Sequence, residues 1–223
     1  MSPTARPSNA SARPLTPPTT GLLAPGWRRA ANVALGAVVV LVVGFTLARY
    51  FVFQVVTVDD DGMFPRLARG EELLVERWAE SYSPGDVVVF VKDERYFVRR
   101  VVAVGGDVAA LRGGRLWLNG FEPEVEPRAA RGYVSGEPGR EGQAARCDRA
   151  LESVGFSSRE VCLGGPDLAE LQVGEGTYLA LCDNRADCRA DSRDLGVIPR
   201  GAVRGRVTHR RGGGGDLWQW EEL

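Results

Sequence analysis

The stretch Pro84-Gly-Asp-Val-Val-Val-Phe-Val-Lys-Asp-Glu-Arg-Tyr-Phe-Val-Arg-Arg-Val-Val-Ala-Val-Gly-Gly-Asp107 decides the fold. It holds two short runs, Asp86–Val91 and Tyr96–Val104, both rich in β-branched and aromatic residues, on either side of a Lys92–Arg95 turn. Pro84-Gly85 and Gly105-Gly106 bound them, as turn residues bound strands. Working outward, Glu72–Val75, Val108–Leu111, Arg115–Leu118 and Thr177–Leu181 have the same character, and Gly113-Gly114 and Asn119-Gly120 add further turns. This spacing predicts a mainly β chain with a compact antiparallel β domain.

Upstream the composition changes. Residues 31–48, Ala-Asn-Val-Ala-Leu-Gly-Ala-Val-Val-Val-Leu-Val-Val-Gly-Phe-Thr-Leu-Ala, are uncharged and apolar on every face. At about 1.5 Å per residue such a helix nearly crosses the hydrocarbon core of a bilayer. A buried core helix would keep a polar stripe. A cleavable signal peptide would be shorter and followed by a small-x-small site. We therefore read residues 30–54 as a single transmembrane anchor contacting membrane lipid, and residues 1–29, rich in Pro, Ser, Thr and Ala, as a disordered cytoplasmic tail. Trp27, Arg28 and Arg29 flank the anchor, and the positive-inside rule places the N-terminus in the cytoplasm. Everything after the anchor is then extracytoplasmic.

The charge distribution agrees. The 223 residues carry a net charge of -1, but residues 1–58 contain five Arg and no acid (+5) while the remainder sums to -6. No bulk positive field is present to hold nucleic acid. Cys147, Cys162, Cys182 and Cys188 all follow the anchor; an even number in an oxidising compartment is consistent with two disulfides, with buried thiols or zinc as alternatives. Residues 121–173 have few periodic apolar positions and read as a loop-rich insertion stapled by Cys147–Cys162. That leaves 55–120 and 174–210 as the β core, and 211–223, with Gly212–Gly215, as a flexible C-terminal tail.

The order of segments then resembles bacterial type I signal peptidase. An apolar anchor precedes Arg49-Tyr-Phe-Val-Phe-Gln, Gly62-Met-Phe-Pro-Arg-Leu67, the two runs of residues 84–107, Gly114-Arg-Leu-Trp-Leu-Asn-Gly120, Cys182-Asp-Asn-Arg-Ala-Asp-Cys-Arg-Ala-Asp-Ser-Arg193, Gly196-Val-Ile-Pro199 and Val203-Arg-Gly-Arg206. The resemblance covers about residues 31–120 and 174–208. It implies the family's antiparallel β fold beside the membrane, with a groove that takes an extended polypeptide as an added strand. It also implies a Ser nucleophile, a neutral Lys as base and donors for the developing oxyanion, with no cofactor and no metal.

The residues at those positions differ. In the pattern Pro-Ser-x-Ser-Met-x-Pro the nucleophile falls on Gly62, and the oxyanion-supporting Ser on Asp60, within Asp59-Asp60-Asp61. Met63, Pro65 and Leu67 hold the register. In Lys-Arg-Val the base falls on Arg99, which stays protonated and donates only. In Gly-Asp-Asn-Arg-x-x-Ser-x-Asp-Ser-Arg the Gly and the Lys-orienting Ser fall on Cys182 and Cys188, and the resemblance implies a bridge between them where Lys was steered. Asp183, Asn184, Arg185, Asp191, Ser192 and Arg193 remain. We expect Asp60 or Asp61 to pair with Arg99 in place of the dyad, because a buried cation needs a counter-charge; a solvated acidic turn is the plainer alternative, and calcium a remote one. The one Lys, Lys92, reads as a solvated turn residue, and the one His, His209, follows the last box. By resemblance Val56, Val58, Met63, Leu67, Phe97 and Val98 line shallow apolar pockets.

These residues point to a catalytically inactive homologue in the bacterial inner membrane, binding an extended segment of an exported polypeptide, a signal peptide or another envelope protein. An active peptidase with an unorthodox site and a purely structural envelope protein are the alternatives.

Overall fold

A computed structural model of the chain describes residues 25–137, 139–154, 157–212 and 220–223. The tail expected over residues 1–29 therefore lies outside the described residues up to residue 24. Helix α1 (Pro25–Val52) begins at a proline, whose fixed φ suits the first helical position, and all described residues from Gly26 to Thr46 are exposed. The helix thus presents an apolar surface on every side.

The remaining elements are nearly all strands. They are β1 (Phe53–Thr57), β2 (Glu72–Glu76), β3 (Val87–Lys92), β4 (Arg95–Val104), β5 (Val108–Arg112), β6 (Arg115–Leu118), β7 (Glu124–Pro127), β8 (Arg131–Val134), β9 (Ala144–Cys147), β10 (Arg149–Val154), β11 (Ser157–Cys162), β12 (Leu168–Gln172) and β13 (Thr177–Leu181). Then come the single turn α2 (Ser192–Leu195), β14 (Ile198–Pro199), β15 (Val203–Arg211) and β16 (Glu221–Glu222). The main sheet runs β1-β2-β15-β3-β4-β13-β14, with β16 pairing the far half of β15. All its pairings are antiparallel. The fold is thus mainly antiparallel β with one N-terminal apolar helix.

Strand β3 reads Val-Val-Val-Phe because both its faces are covered. Val87 and Val89 pack with Val58, Met63, Leu67, Leu73 and Val75, whereas Val88 and Phe90 pack on the other side with Phe97, Tyr178 and Ile198. A period of two sends successive side chains into different cores, so a two-sided strand has no polar positions. Strand β13 does the same, giving Tyr178 and Ala180 to the second core and Leu179 and Leu181 to a third with Leu111 and Leu116. The β3–β4 turn places Asp93 and Glu94 at positive φ, the two-residue geometry that matches strand twist.

Three segments differ from the sequence expectation. The insertion is built of strands: β7, β10 and β11 form one small sheet and β8 and β9 a hairpin. Its polar strands escaped notice because ionic contacts and the Cys147–Cys162 disulfide, rather than an apolar face, hold them. Residues 168–172 belong to the core, since β12 pairs β5 and packs Leu168 and Leu171 beside Leu111. The end of the chain returns to the domain: β16 pairs His209 and Arg210, Arg210 bonds Glu221, and Leu223 packs against the first core. Residues 213–219, including most of the glycine run, lie outside the described residues.

Candidate functional site

The loop after β1 carries Asp59 to Gly62. It is tied down at both ends, because the Val58 N–H donates to Glu71 O and the Leu67 N–H to Met63 O, each at 2.9 Å. Val58, Met63 and Leu67 are fully buried in the first core. These three residues, expected in the apolar pockets, hold the loop from within the first core.

Asp60 and Arg99 meet at the loop's tip. Arg99 Nη2 donates to Asp60 Oδ2 at 2.7 Å and Nη1 to Oδ1 at 3.3 Å, with the arginine side chain wholly buried. Arg99 Nε donates to Ala190 O at 2.7 Å and Nη1 also to Val98 O at 2.6 Å. A guanidinium out of water needs a counter-charge and filled donor sites. Here it has both. Asp60 Oδ1 further accepts the Gly62 N–H at 3.0 Å, so the carboxylate fixes the backbone of Gly62.

Gly62 is itself enclosed. A Cβ there would lie 2.8 Å from Cys182 Sγ, and 3.1 Å from both Arg99 Nη1 and Asp60 Oδ1. Cys182 is bonded to Cys188, and Asp191 underlies the bridge, accepting the Cys182 N–H at 3.0 Å, lying 3.3 Å from Cys188 Sγ and accepting from Arg193 Nε and Nη2. Cys182, Cys188 and Asp191 are the one trio of potential metal ligands found close together among the described residues. The disulfide removes both thiolates and Arg193 occupies the carboxylate, so the trio does not suit a cation.

The rest of the 182–193 loop is locked by charge and hydrogen bonds. Arg100 grips Asp183 with two bonds of 2.8 and 2.6 Å, and Arg185 grips Glu152 of the insertion with bonds of 2.8 and 2.5 Å. Asn184 donates to Asp61 O at 3.2 Å and to the Tyr133 hydroxyl at 3.0 Å, while Ser192 Oγ accepts the Ala180 N–H at 2.9 Å.

Sequence reasoning missed the contribution of the insertion. Asp61 Oδ2 accepts the Gly136 N–H at 2.8 Å and the Ser135 hydroxyl at 3.3 Å, and Glu137 Oε1 accepts the Asp61 N–H at 3.1 Å. Burial raises the Glu137 carboxyl above the usual range, and the neighbouring Asp60 and Asp61 push the same way. Tyr133 stacks on Phe64, ring centroids 4.6 Å apart, and its hydroxyl is pushed up to about 12 by burial and by its bond to Asp187. The only cue in the sequence was Tyr133-Val-Ser135, a β-like triplet in a polar region. Lys92, expected to be solvated, donates to Leu195 O instead, and His209 sits on β15 with Nδ1 3.0 Å from Thr208 Oγ1. Neither lines the clefts around Asp59 and Asp60.

Two adjoining clefts open beside this site. One of ≈ 280 Å³ is lined by Gln54, Val55, Val56, Thr57, Asp59, Tyr96 and Val98. The other, of ≈ 320 Å³, is lined by Asp59, Asp60, Arg95, Tyr96, Phe97 and Arg189. Asp59 and Tyr96 belong to both, so the clefts are continuous between β1 and the start of β4. Val56, Phe97 and Val98 are the three expected groove residues that line them. Strand β1 is the last of its sheet and leaves one edge unpaired. The arrangement offers backbone pairing, apolar contacts and fixed charges, and the atoms nearest a side chain at position 62 are Cys182 Sγ, Arg99 Nη1 and Asp60 Oδ1.

Comparison with known proteins places these features. Residues 29–210 match the family described as "Signal peptidase, peptidase S26". Signal peptidase I S of Bacillus subtilis (strain 168) is 27% identical over 172 residues, covering 76% of this chain and 82% of the relative. Signal peptidase I of Bacillus licheniformis is 29% identical over 174 residues, with 76% of this chain and 82% of the relative covered. A crystal structure of signal peptidase I from Enterococcus faecalis V583 aligns with a TM-score of 0.35 at 18% identity, covering 58% of this chain and 98% of that one. Because the family match runs from the apolar helix through β15 and takes in Gly62, Arg99 and the Cys182–Arg193 loop, the chain belongs to the signal peptidase S26 family.

Proposed function

We propose that this S26-family chain is a membrane-anchored, catalytically inactive homologue that binds an extended segment of an exported protein, or an envelope partner presenting one. One observation carries the reading: the space a serine side chain would need at position 62 is filled by Cys182 Sγ and by the Arg99–Asp60 pair. The proton acceptor is missing as well, since a guanidinium stays charged. Losing nucleophile and base together leaves binding and whatever oxyanion stabilisation remains, and a carboxylate at position 60 opposes the latter.

The unpaired edge of β1 and the clefts over Val56, Tyr96 and Val98 support binding of an extended strand. The apolar exposed helix supports an anchor spanning the cytoplasmic membrane, and Arg28 and Arg29 before it support a cytoplasmic N-terminus with the β domain on the far side. In this reading the disulfides belong to that oxidising side.

The test is to incubate the detergent-solubilised protein with an exported precursor, and in parallel to place a photocrosslinker at the exposed Tyr96. No cleavage, together with crosslinks to the precursor that a peptide spanning its signal sequence competes away, is the expected result. Product from the wild type that disappears on Asp60→Ala overturns inactivity. Absence of any competed crosslink overturns the binding role and leaves a structural envelope protein.

A further inference from the structure

Away from the clefts, the insertion meets the core through a cluster of arginines with too few carboxylates. Glu152 is fully buried and serves two buried guanidiniums: Arg185 at 2.8 and 2.5 Å, and Arg159, whose Nε donates at 3.2 Å. The Leu116 N–H donates to the same carboxylate at 3.0 Å. Burial on its own would raise the Glu152 pKa, yet the hydrogen bond from Arg185 and the two positive charges hold it below the usual range. Two buried cations against one anion leave an excess of one positive charge, in a place where an uncompensated charge is costly.

The hydrogen bonding shows the same shortfall. Arg159 Nη2 and Arg185 Nε are buried with no acceptor. Arg159 is 6% exposed. Beside it lies a cavity of ≈ 400 Å³ lined by Arg66, Arg100, Leu151, Ser158, Arg159, Glu160 and Leu223. Arg100 is balanced by Asp183, and Glu160 lies 3.8 Å from Arg149. Arg66, exposed at the cavity wall, is within electrostatic reach of Glu71, which it shares with Arg210, so the unmatched charge is that of the Arg159–Arg185–Glu152 cluster.

We propose that this cavity is an oxyanion site for phosphate, free or as a small monoester, with Arg66, Arg100 and Arg159 as its cationic wall and Ser158 as a neutral donor. The buried Arg159 Nη2 without an acceptor calls for an anion, and arginine suits one with several oxygens because its planar fork donates in parallel. The volume exceeds that of a lone phosphate, and Leu151 and Leu223 give an organic substituent an apolar surface to contact. The proposal is independent of whether the chain cleaves peptides or only binds them, because none of these residues lines the clefts at Asp59 and Asp60.

The experiment uses the full chain in detergent. Inorganic phosphate and phenyl phosphate are titrated calorimetrically, and melting curves are compared in phosphate and in chloride at equal ionic strength. Saturable binding with a phosphate-specific rise in melting temperature is expected, weakened about tenfold or more in Arg159→Gln and weakened also in Arg66→Ala. Arg112→Ala, an exposed change on β5 outside the cavity, should leave it unaltered. Tighter binding of phenyl phosphate identifies a monoester as the ligand, and equal binding identifies the free ion. Identical melting in phosphate and chloride, or undiminished binding in Arg66→Ala, overturns the site. The Arg66 variant decides alone if Arg159→Gln fails to fold, since Arg66 is exposed.

Discussion

Cys182 Sγ lies 2.8 Å from the point a Cβ on Gly62 would occupy. The glycine and the disulfide are therefore one structural unit, and a side chain cannot be added at position 62 while the disulfide stays in place. A substitution at position 62 alone meets a cross-linked sulfur that cannot swing away.

Gly62→Ser should consequently destabilise the domain by about 1–3 kcal/mol, the usual cost of forcing extra atoms into a packed interior. Adding Cys182→Gly should recover part of that loss, giving a clear non-additive term in a urea-unfolding double-mutant cycle. Strictly additive effects would show that the sulfur and the glycine do not compete for space.

The Arg99–Asp60 pair makes a second cycle. Arg99→Met or Asp60→Leu alone strands one buried charge and should cost about 3–5 kcal/mol, while the double replacement should cost clearly less than either. Chemical denaturation of the three variants measures this. Equal losses in singles and double would mean that the pair adds stability beyond mutual neutralisation.

The insertion should depend on its own cross-link. Cys147 and Cys162 are 15 residues apart, and a loop of that length loses about 3 kcal/mol of stabilisation when the bridge is removed. In Cys147→Ala/Cys162→Ala, protease should cut within residues 121–165 well before the core sheet. Unchanged resistance would place the stability of this region in its ionic contacts alone.

Glu137 and Glu152 should respond to pH in opposite directions. Glu137 has a raised folded pKa, so its contribution is fully present below the ordinary glutamate value and is lost as pH rises through the folded value. Glu137→Gln keeps an acceptor for the Asp61 N–H, and its stability relative to wild type should grow over that rise. Glu152 has a lowered folded pKa, so its contribution is present above the ordinary value and fades as pH falls through the folded one. Urea midpoints of wild type, Glu137→Gln and Glu152→Gln across acidic to neutral pH give the comparison; parallel curves for wild type and Glu137→Gln would contradict the assignment.

What the sequence disclosed follows from how each element is held. Strands β2 to β6 and β13 were legible because Val, Leu, Phe and Tyr recur in short runs that bury on one or both faces, and the pairing of Asp60 with Arg99 was legible because a buried cation needs a counter-charge. The insertion was not: Glu152 and Arg159 face each other across neighbouring polar strands, Arg185 joins them from a separate loop, and a polar strand held by ion pairs has no apolar period to read. Ser135 and Glu137 reached Asp61 unannounced for the same reason. Leu223 returned to the core although its flanking glycines read as a linker, since pairing to β15 depends on an available sheet position and not on local composition.

Strand β15 sits between β2 and β3, yet more than a hundred residues separate it from them along the chain. During synthesis β2 and β3 therefore wait with open edges until Val203–Arg211 arrives, and the sheet closes only late. Long waits of this kind slow folding and leave edges free for wrong partners. They also keep the leading half unfolded and threadable while the trailing half is being made, so a nascent chain stalled before residue 203 has two disconnected halves of a sheet and no smaller stable domain to fall back on.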